Sequence, residues 1–279
     1  MTQLIVIRGG GDLGSGIALR LRRSGFHVVI LELEKPLAVR RTVSFSEAVY
    51  EGQQTIEGVT ARLVSPDQIQ VSIEAGEIPV LIDPTGNMIR NSFLTSPRST
   101  VVIDARLLKT APESLDVNVA MLIGLGPGFI AGENCQAVIE TRRSHTLGRV
   151  YWSGSAQDDS GEPDGDRRRV LRAPYAGIVS SYAKIGEPFN EGEKIAEVQP
   201  QDGVENFVIV SPFKGILRGL IRTGSVVTKG MKIGDVDRRS DPGLYTLVSD
   251  KALAVAGGVL EALLIFGQRD EARTRRKDD

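Results

Sequence analysis

The chain has 279 residues and a formal net charge of -1, from 34 lysine and arginine residues against 35 aspartate and glutamate residues. This length is typical of two domains of roughly 100 to 200 residues each. The near-neutral charge excludes a general attraction to nucleic acid or to anionic membranes, so neither is an expected partner and any anion site must be local. The single cysteine, Cys135, excludes an internal disulfide and an iron–sulfur cluster held by the chain's own thiolates.

A βαβ unit is predicted at the start of the sequence. Residues 3–7 and 27–33 are short apolar runs typical of buried strands, and residues 13–23 carry apolar side chains at helical spacing. The segment lacks the basic and apolar regions of a signal peptide, so the protein is expected in the cytoplasm. Further strands are predicted at residues 80–82, 101–103 and 117–123. Residues 1–152 are thus predicted to form an α/β domain with a Rossmann-like parallel sheet.

An internal repeat follows a polar segment, residues 153–169, that is typical of a linker. Residues 172–198 and 210–236 align with an offset of 38, as for Pro174 and Pro212, and four further pairs match at that offset: Gly177/Gly215, Gly186/Gly224, Gly192/Gly230 and Val198/Val236. One copy cannot cover its own apolar face, so the two copies are expected to interlock. The pattern resembles the barrel-sandwich hybrid domain of biotinyl and lipoyl carriers, which predicts a small all-β barrel-sandwich hybrid domain at residues 170–240.

The hairpin between the two copies, residues 199–210, contains no lysine. In the biotinyl and lipoyl carriers this hairpin holds the modified lysine, so no biotin or lipoate is expected here. The β domain is interpreted as an unmodified packing or docking module. Residues 241–279 are predicted to form a C-terminal helix, with Ser249 as its N-cap, and a charged tail. The apolar run at residues 252–266 is too short to span a membrane and is expected to pack back on the first domain.

A glycine-rich turn lies between the first predicted strand and the first predicted helix. Its motif is Gly-x-Gly-x-x-Gly, formed by Gly9, Gly10, Gly11, Asp12 and Gly14. In this setting the glycines allow a pyrophosphate to approach the backbone, and the helix N-terminus favours its negative charge. The alternative is that the glycines only allow the helix to pack closely on the sheet.

Three acidic residues lie near or just after the ends of predicted strands and are expected at one edge of the sheet, where ligands of α/β proteins gather. Glu32 could accept hydrogen bonds from a ribose hydroxyl, whereas Asp83 and Asp104 could instead cap turns. A second glycine-rich loop also follows a predicted strand, and it suits a second anionic group or a flat heterocycle. Its glycines are Gly124, Gly126 and Gly128.

Compact basic groups offer further candidate residues. Arg40 and Arg41 could bind phosphate through planar, bidentate donors, although a solvated helix face would also hold such a pair. His145, in a second basic group, is a candidate acid or base and equally a structural hydrogen bonder. Cys135 is a candidate soft ligand for a metal and equally a small buried apolar residue.

Four segments together resemble the YqeB family, the accessory proteins of selenium-dependent molybdenum hydroxylase systems. They are residues 7–21, 36–52, 124–150 and 249–264. The first and last also resemble the nucleotide-binding half of the XdhC family, which assists insertion of the molybdenum cofactor into xanthine dehydrogenase.

The resemblance implies an accessory or maturation factor that binds the molybdenum cofactor, or its dinucleotide form, during insertion or during sulfur or selenium loading. Its expected partners are a molybdenum hydroxylase client and a pterin or nucleotide ligand, and a homo-oligomer is compatible with the sequence. Two alternatives stay open: an NAD(P)-binding oxidoreductase and a non-catalytic docking scaffold. The chain cannot itself be a hydroxylase of the xanthine dehydrogenase type, because one cysteine cannot hold the iron–sulfur clusters of such enzymes.

Overall fold

The structure is a computed structural model that describes residues 3–278 except 92–93, 95–98, 116, 159–164, 202 and 204, and describes only the backbone of residues 269–278. Parts of the predicted linker and of the predicted hairpin between the copies therefore lie outside the described residues. We call residues 3–158 the α/β half and residues 165–240 the β half.

The α/β half begins with a strand, a glycine turn and a helix. Its elements in chain order are β1 Leu4–Arg8, α1 Asp12–Arg23, β2 His27–Glu32, α2 Ala48–Glu51, β3 Gln53–Ile56, β4 Val59–Leu63, α3 Ile69–Glu74, β5 Ile78–Ile82, α4 Asn87–Arg90, β6 Thr100–Asp104, β7 Met121–Leu125, β8 Ile130–Ala131, β9 Ala137–Ile139, β10 Val150–Tyr151 and β11 Gly154–Ser155.

The β half consists of short strands, and helices follow it. These elements are β12 Val170–Arg172, β13 Gly177–Ser181, β14 Pro188–Phe189, β15 Lys194–Gln199, β16 Phe207–Val210, β17 Gly215–Leu220, β18 Val226–Val227, β19 Lys232–Asp237, α5 Gly243–Thr246 and α6 Asp250–Asp278. Two segments predicted as linker have defined structure: β11 pairs with β8, and a 3₁₀ turn spans Arg167–Arg169.

The predicted fold class, a Rossmann-like parallel sheet domain with a small all-β barrel-sandwich hybrid domain, is wrong. The α/β half contains a nine-stranded sheet in the order β10-β9-β7-β6-β1-β2-β5-β4-β3. Its central strands are parallel, but β3 pairs antiparallel with β4 at one edge and β10 pairs antiparallel with β9 at the other. The sheet is therefore mixed, and only its centre follows a Rossmann-like order.

A two-residue turn explains the antiparallel edge formed by β3 and β4. Glu57 and Gly58 link the two strands and both have positive φ, 46° and 83°. Such turns match the twist of paired antiparallel strands, so they close tight hairpins. The strands on either side are only partly buried, so no continuous apolar run marks them in the sequence.

The β half also differs from its prediction. Its described strands form two separate four-stranded antiparallel sheets, β12-β19-β17-β14 and β16-β15-β13-β18, rather than one closed barrel. Equivalent strands of the two copies start 38 residues apart, for example Gly177 in β13 and Gly215 in β17. Each copy places its middle strand, β14 or β18, in the sheet of the other copy. The expected interlocking of the copies is therefore confirmed.

Helix α6 covers one face of the nine-stranded sheet together with α1. The two helices share one apolar core with the inward side chains of the central strands, including Ile17, Val255 and Val259. Close approach needs small residues, since a Cβ at Gly16 would lie 2.7 Å from the Cβ of Ala252. The opposite face of the sheet carries a second apolar cluster that contains Ile69 of α3 and Ile89 of α4.

The two halves touch through specific contacts. The Nε atom of Arg41 donates to the carbonyl oxygen of Leu220 at 2.7 Å, and Arg222 binds Glu47 at 2.7 Å. Gly219 lies against the backbone of Val39, where a Cβ would come within 2.7 Å of the carbonyl oxygen. Within the described part of the chain, no helix has the length and hydropathy to cross a membrane.

Candidate functional site

A cleft of about 1180 Å³ opens at the carboxyl ends of the central parallel strands and extends between the two halves. Strand β1 pairs with β2 on one side and with β6 on the other. The order in which the chain adds strands therefore proceeds away from β1 first on one side and then on the other. Open α/β sheets bind ligands at this reversal. The cleft is therefore the candidate functional site.

The glycine turn forms one wall of the cleft, and its glycines have different roles. Gly9 has a φ of 96°, and a Cβ at Gly14 would lie 2.0 Å from the Gly9 carbonyl oxygen, so both serve the tight packing of the turn. A Cβ at Gly10 would meet Ile30 and the backbone nitrogen of Ser46, each at 3.1 Å. Gly11 has no atom within 4 Å of its Cβ position and faces the cleft. Gly11 is thus the position where a ligand can approach the backbone.

The first turn of α1 suits an anion. Gly11 is its N-cap residue, and no side chain caps the helix there. Uncapped N–H groups and the helix dipole together attract negative charge. Asp12 lies in this turn, where its carboxylate pairs with Arg40 at 3.0 Å.

Glu32 lies in the cleft, but both of its carboxylate oxygens have backbone partners. The N–H groups of Gly10 and Leu33 donate to them at 2.6 and 2.7 Å. Glu32 is only 7% exposed, and burial raises its pKa, with the two N–H groups opposing that rise. The carboxylate therefore fixes the glycine turn to the end of β2.

Asp83 and Asp104 also lie at the carboxyl ends of strands, with different partners. The carboxylate of Asp83 accepts the backbone N–H groups of Asn87 and Met88 at 2.9 and 2.8 Å. Asp104 binds Arg106 at 2.6 Å and Arg8, its neighbour in the β1–β6 register, at 3.3 Å. Asp83 thus caps α4, and Asp104 orients two cations beside the cleft.

Arg40 and Arg41 face different surroundings. Arg40 lines the cleft, is 6% exposed, and binds the carbonyl oxygens of Leu244 and Leu247 at 2.9 and 3.1 Å. Its Nε atom is buried and has no hydrogen-bond partner among the described residues. Arg41 lies at the junction of the halves rather than on the cleft wall, and burial lowers its pKa.

Sequence reasoning missed the contribution of the β half and one serine. Ser46 lies on the cleft wall, is 1% exposed, and has a buried hydroxyl without a partner among the described residues. The β half contributes four cations to the cleft lining, namely Arg169, Arg218, Lys232 and Arg239, together with Asp235, which pairs with Arg169 and Lys232.

A signal for part of this basic wall was present in the repeat. At the offset of 38, Arg218 of the second copy stands where the first copy has Ser180. A structural repeat needs the residues that keep its turns and core. Charges found in one copy alone therefore indicate a surface with a separate role.

Three predicted glycines lie outside the cleft. A Cβ at Gly124 would meet the ring of Phe129 at 2.1 Å, and one at Gly128 would meet the carbonyl oxygen of Thr110 at 2.2 Å. Gly126 has a φ of 96° and packs beside Leu107. In the structure these glycines permit close packing of the loop after β7.

His145 and Cys135 also lie away from the cleft. His145 is an exposed residue in the turn between β9 and β10. Cys135 is buried in a small apolar cluster with Phe129 and Val138, and burial raises its pKa to about 11. Among the residues the structure describes, no three His, Cys, Asp or Glu side chains are grouped so that they could hold a metal ion.

No protein-family model matches the chain. Solved structures of the succinylglutamate desuccinylase and aspartoacylase type match the chain at low TM-scores. An aspartoacylase family protein of Mesorhizobium loti has a TM-score of 0.27 and 11% identity, with 85% of each chain covered. The ectoine utilization protein EutE of Ruegeria pomeroyi has a TM-score of 0.27 and 14% identity, over 84% of this chain and 85% of that one. At these TM-scores the similarity carries no argument about fold or activity.

The glycine turn and basic cleft are features of phosphate-binding α/β proteins. The chain is 45% identical over 269 residues to the protein YqeB of Escherichia coli strain K12, an alignment that covers 95% of this chain and 48% of YqeB. The chain thus spans about half the length of this relative. The identity over nearly the whole chain supports the predicted resemblance to the YqeB family.

Proposed function

We propose that the chain binds the molybdenum cofactor, or its dinucleotide form, in the cleft between the two halves and acts as an accessory factor in the maturation of a molybdenum hydroxylase. One observation carries the proposal: an open glycine position at an uncapped helix N-terminus faces a cleft with arginines on both walls. This combination suits a phosphate or pyrophosphate group.

The unpartnered polar atoms of the cleft fit the phosphate part of such a cofactor. The Ser46 hydroxyl and the Arg40 Nε are both buried and have no hydrogen-bond partner among the described residues. A buried polar group without a partner costs roughly 1 to 3 kcal/mol. Because both atoms are buried, phosphate oxygens would reach them after a shift of the side chains, and would then accept their hydrogen bonds and remove that cost.

The metal part of the cofactor has no matching ligand set in the described residues. Cys135 lies in a separate apolar cluster, and no group of metal-ligating side chains lines the cleft among the residues described. The cofactor would therefore be held by its phosphate and its ring system. The metal centre, which supplies the redox chemistry when bound in the client enzyme, would stay open for sulfur or selenium loading.

The link to molybdenum rests on the similarity to YqeB and on the family that the sequence resembles. The segment at residues 36–52, one of those that carry the resemblance, contributes both Arg40 and Ser46 to the cleft. The residues behind the resemblance and the proposed ligand contacts thus coincide. A molybdenum hydroxylase is proposed as the client on the same ground.

An NAD(P)-dependent oxidoreductase is less favoured. In that class an acidic residue at the end of the second strand binds the ribose, whereas Glu32 is only 7% exposed and holds the glycine turn through the N–H groups of Gly10 and Leu33. A docking scaffold that binds no ligand would provide no hydrogen-bond partner for the Ser46 hydroxyl and the Arg40 Nε.

The test is cofactor retention by matched glycine variants. Gly11→Val fills the open position on the cleft wall, whereas Gly267→Val fills an equally open position on α6, outside the cleft. Native mass spectrometry of protein purified from its own cells should show a bound pterin or pterin dinucleotide in the wild type and in Gly267→Val. Gly11→Val should be folded and should have lost it.

A folded Gly11→Val protein that retains the same ligand would contradict a role of the turn in binding. Detection of NAD(P) instead of a pterin would favour the oxidoreductase.

A further inference from the structure

Two arginines from opposite halves of the molecule meet at one carbonyl oxygen. The Nη2 atom of Arg40 donates to the carbonyl oxygen of Leu244 at 2.9 Å, and the Nε atom of Arg218 donates to the same oxygen at 3.2 Å. Both side chains line the cleft, and both are largely buried, with 6% and 12% of their side-chain surface exposed. Two guanidinium groups are therefore held side by side where the halves join.

The carboxylates nearby compensate the two arginines unevenly, because both oxygens of Asp12 contact Arg40, at 3.0 and 3.1 Å, whereas Arg218 has no such close partner among the described residues. The nearest carboxylate contact of Arg218 is with Asp237 at 3.9 Å, and Asp237 is already bound by Arg239 at 2.8 and 2.9 Å. Arg40 pairs with Asp12, but its Nε atom has no partner among the described residues. Close like charges with weak compensation in a buried place are costly unless an anion binds there.

The electrostatics of Arg218 agree with this geometry. Burial lowers its pKa, the positive charges of Arg40 and Arg169 lower it further, and Asp235 and Asp12 oppose the shift. Arginine remains charged in proteins under such conditions. The site therefore favours a bound anion over loss of a proton.

The arginine pair adjoins the glycine turn. Asp12, which Arg40 binds, is the first residue of α1, and Ser46 donates its backbone N–H to the carbonyl oxygen of Gly10. One anionic group can thus lie at the helix N-terminus beside Gly11, and a second can lie beside Arg40 and Arg218. A pyrophosphate supplies two such groups joined by one oxygen, whereas a phosphate monoester supplies one.

We propose that Arg40 and Arg218 form a single anion subsite across the junction of the two halves, and that this subsite selects a pyrophosphate-containing nucleotide over a monophosphate. The proposal rests on the proposed function and deepens it, because it favours the dinucleotide form of the cofactor. It also assigns a binding residue to the β half.

The experiment is isothermal titration with cytidine diphosphate and cytidine monophosphate. The wild type should bind the diphosphate about tenfold more tightly, the effect expected for one additional charge-assisted contact. Arg218→Gln should lose that preference by weakening diphosphate binding while monophosphate binding stays unchanged. Arg168→Gln is the matched control, since Arg168 lies in the same half, pairs with Asp166 and is absent from the cleft wall.

Arg218→Lys serves if Arg218→Gln does not fold, and it should reduce the preference because an ammonium group lacks the planar donors of arginine. Equal binding of the two nucleotides by the wild type, or an unchanged preference in a folded Arg218 variant, would overturn the subsite. If Gly11→Val still abolishes binding in that case, the proposed function stands without the subsite. A wild type that binds neither pterins nor nucleotides contradicts both proposals.

Discussion

At the scale of single residues, Glu32 and Ser46 show how the glycine turn is held. Glu32 binds the N–H group of Gly10 from the side of β2, and Ser46 donates its N–H to the Gly10 carbonyl oxygen. Both backbone polar groups of Gly10 are thereby paired without using the first turn of α1. The turn is fixed while the N–H groups of the helix stay available for an anion.

The titration of Glu32 gives a prediction with a defined sign. Burial raises its pKa above the ordinary value of 4.5, so the folded chain holds the proton more tightly than the unfolded chain. The contribution of Glu32 to the free energy of unfolding is then complete below pH 4.5 and is lost as the pH rises through the folded pKa. Glu32→Gln removes this titration, so the stability difference between wild type and variant should shrink as the pH rises.

Urea denaturation from about pH 4.5 to about pH 8 measures this difference. Glu77→Gln is the contrasting control, since the hydrogen bonds from Arg62 lower the pKa of Glu77 below its ordinary value of 4.5. Its stability difference from the wild type should therefore be nearly constant over this range and should be lost only at lower pH. A difference that grows with pH for Glu32→Gln would show that the backbone N–H groups outweigh burial.

At the scale of elements, glycines on α6 decide how closely it packs. A Cβ at Gly258 would lie 2.0 Å from the carbonyl oxygen of Gly148, whereas the nearest atom to a Cβ at Gly257 is Arg20 Nη1 at 3.7 Å. Gly258 therefore has no room for a side chain, whereas Gly257, the adjacent residue of the same helix, has room for one. The difference comes from the backbone that packs against each residue, so the sequence Gly-Gly alone does not predict it.

Alanine substitutions of these two glycines should change stability in opposite directions. Gly257→Ala should stabilise the protein by about 0.5 to 1 kcal/mol, because alanine favours the helix and meets no close atom. Gly258→Ala should destabilise it by about 2 kcal/mol or more, because the added methyl group displaces the loop at Gly148. Urea denaturation checks both values, and equal effects of the two substitutions would contradict this account of the packing.

The sequence predicts elements well where burial is complete. The apolar runs of β1, β2, β5 and β6 and the helical spacing of α1 follow directly from full burial on both faces of a central parallel sheet. The antiparallel edges were missed because β3 and β4 are partly exposed and have no continuous apolar run. Local patterns report burial, and the edge strand β3 is covered by a neighbouring strand on one side only.

The candidate site was only partly predictable. The glycine turn and Glu32, Asp83 and Asp104 could be placed at one edge because parallel strands align their carboxyl ends. The basic wall from the β half could not be placed, because it depends on how two halves join. The loop at residues 124–128 could not be assigned correctly from sequence either. A glycine that allows Phe129 to pack closely cannot be distinguished in the sequence from a glycine that binds phosphate.

At the scale of the whole molecule, charged contacts join the halves. Arg222 binds Glu47 at 2.7 Å and Glu51 at 2.5 Å, and its guanidinium lies 4.4 Å from the ring centre of Tyr50. Glu47 is buried, and burial raises its pKa while Arg222 and Arg41 oppose that rise. The junction thus depends on an arginine that compensates a buried carboxylate.

Removal of this arginine should weaken the junction. Arg222→Gln leaves Glu47 with only the longer contact to Arg41, at 3.9 Å. The expected loss is about 2 kcal/mol, because a buried carboxylate that loses its partner keeps its desolvation cost. Arg62→Gln, which breaks a bidentate pair with Glu77 on the surface, should have a much smaller effect.

Urea denaturation compares the two variants, and fluorescence and circular dichroism should give the same transition if the halves unfold together. An equal loss in both variants would show that the junction contributes no more than a surface pair.

The strand exchange within the β half has a consequence for its origin and assembly. Because β14 and β18 each complete the sheet of the other copy, the two copies are related as the subunits of a domain-swapped dimer with twofold pseudosymmetry. A chain with a single copy could complete its sheet only by pairing with a second molecule, and the rate of that pairing would depend on protein concentration. Covalent linkage makes that partner always available. It also allows the two copies to differ in sequence, so that Arg218 could arise beside the cleft in one copy while Ser180 remained at the equivalent position of the other.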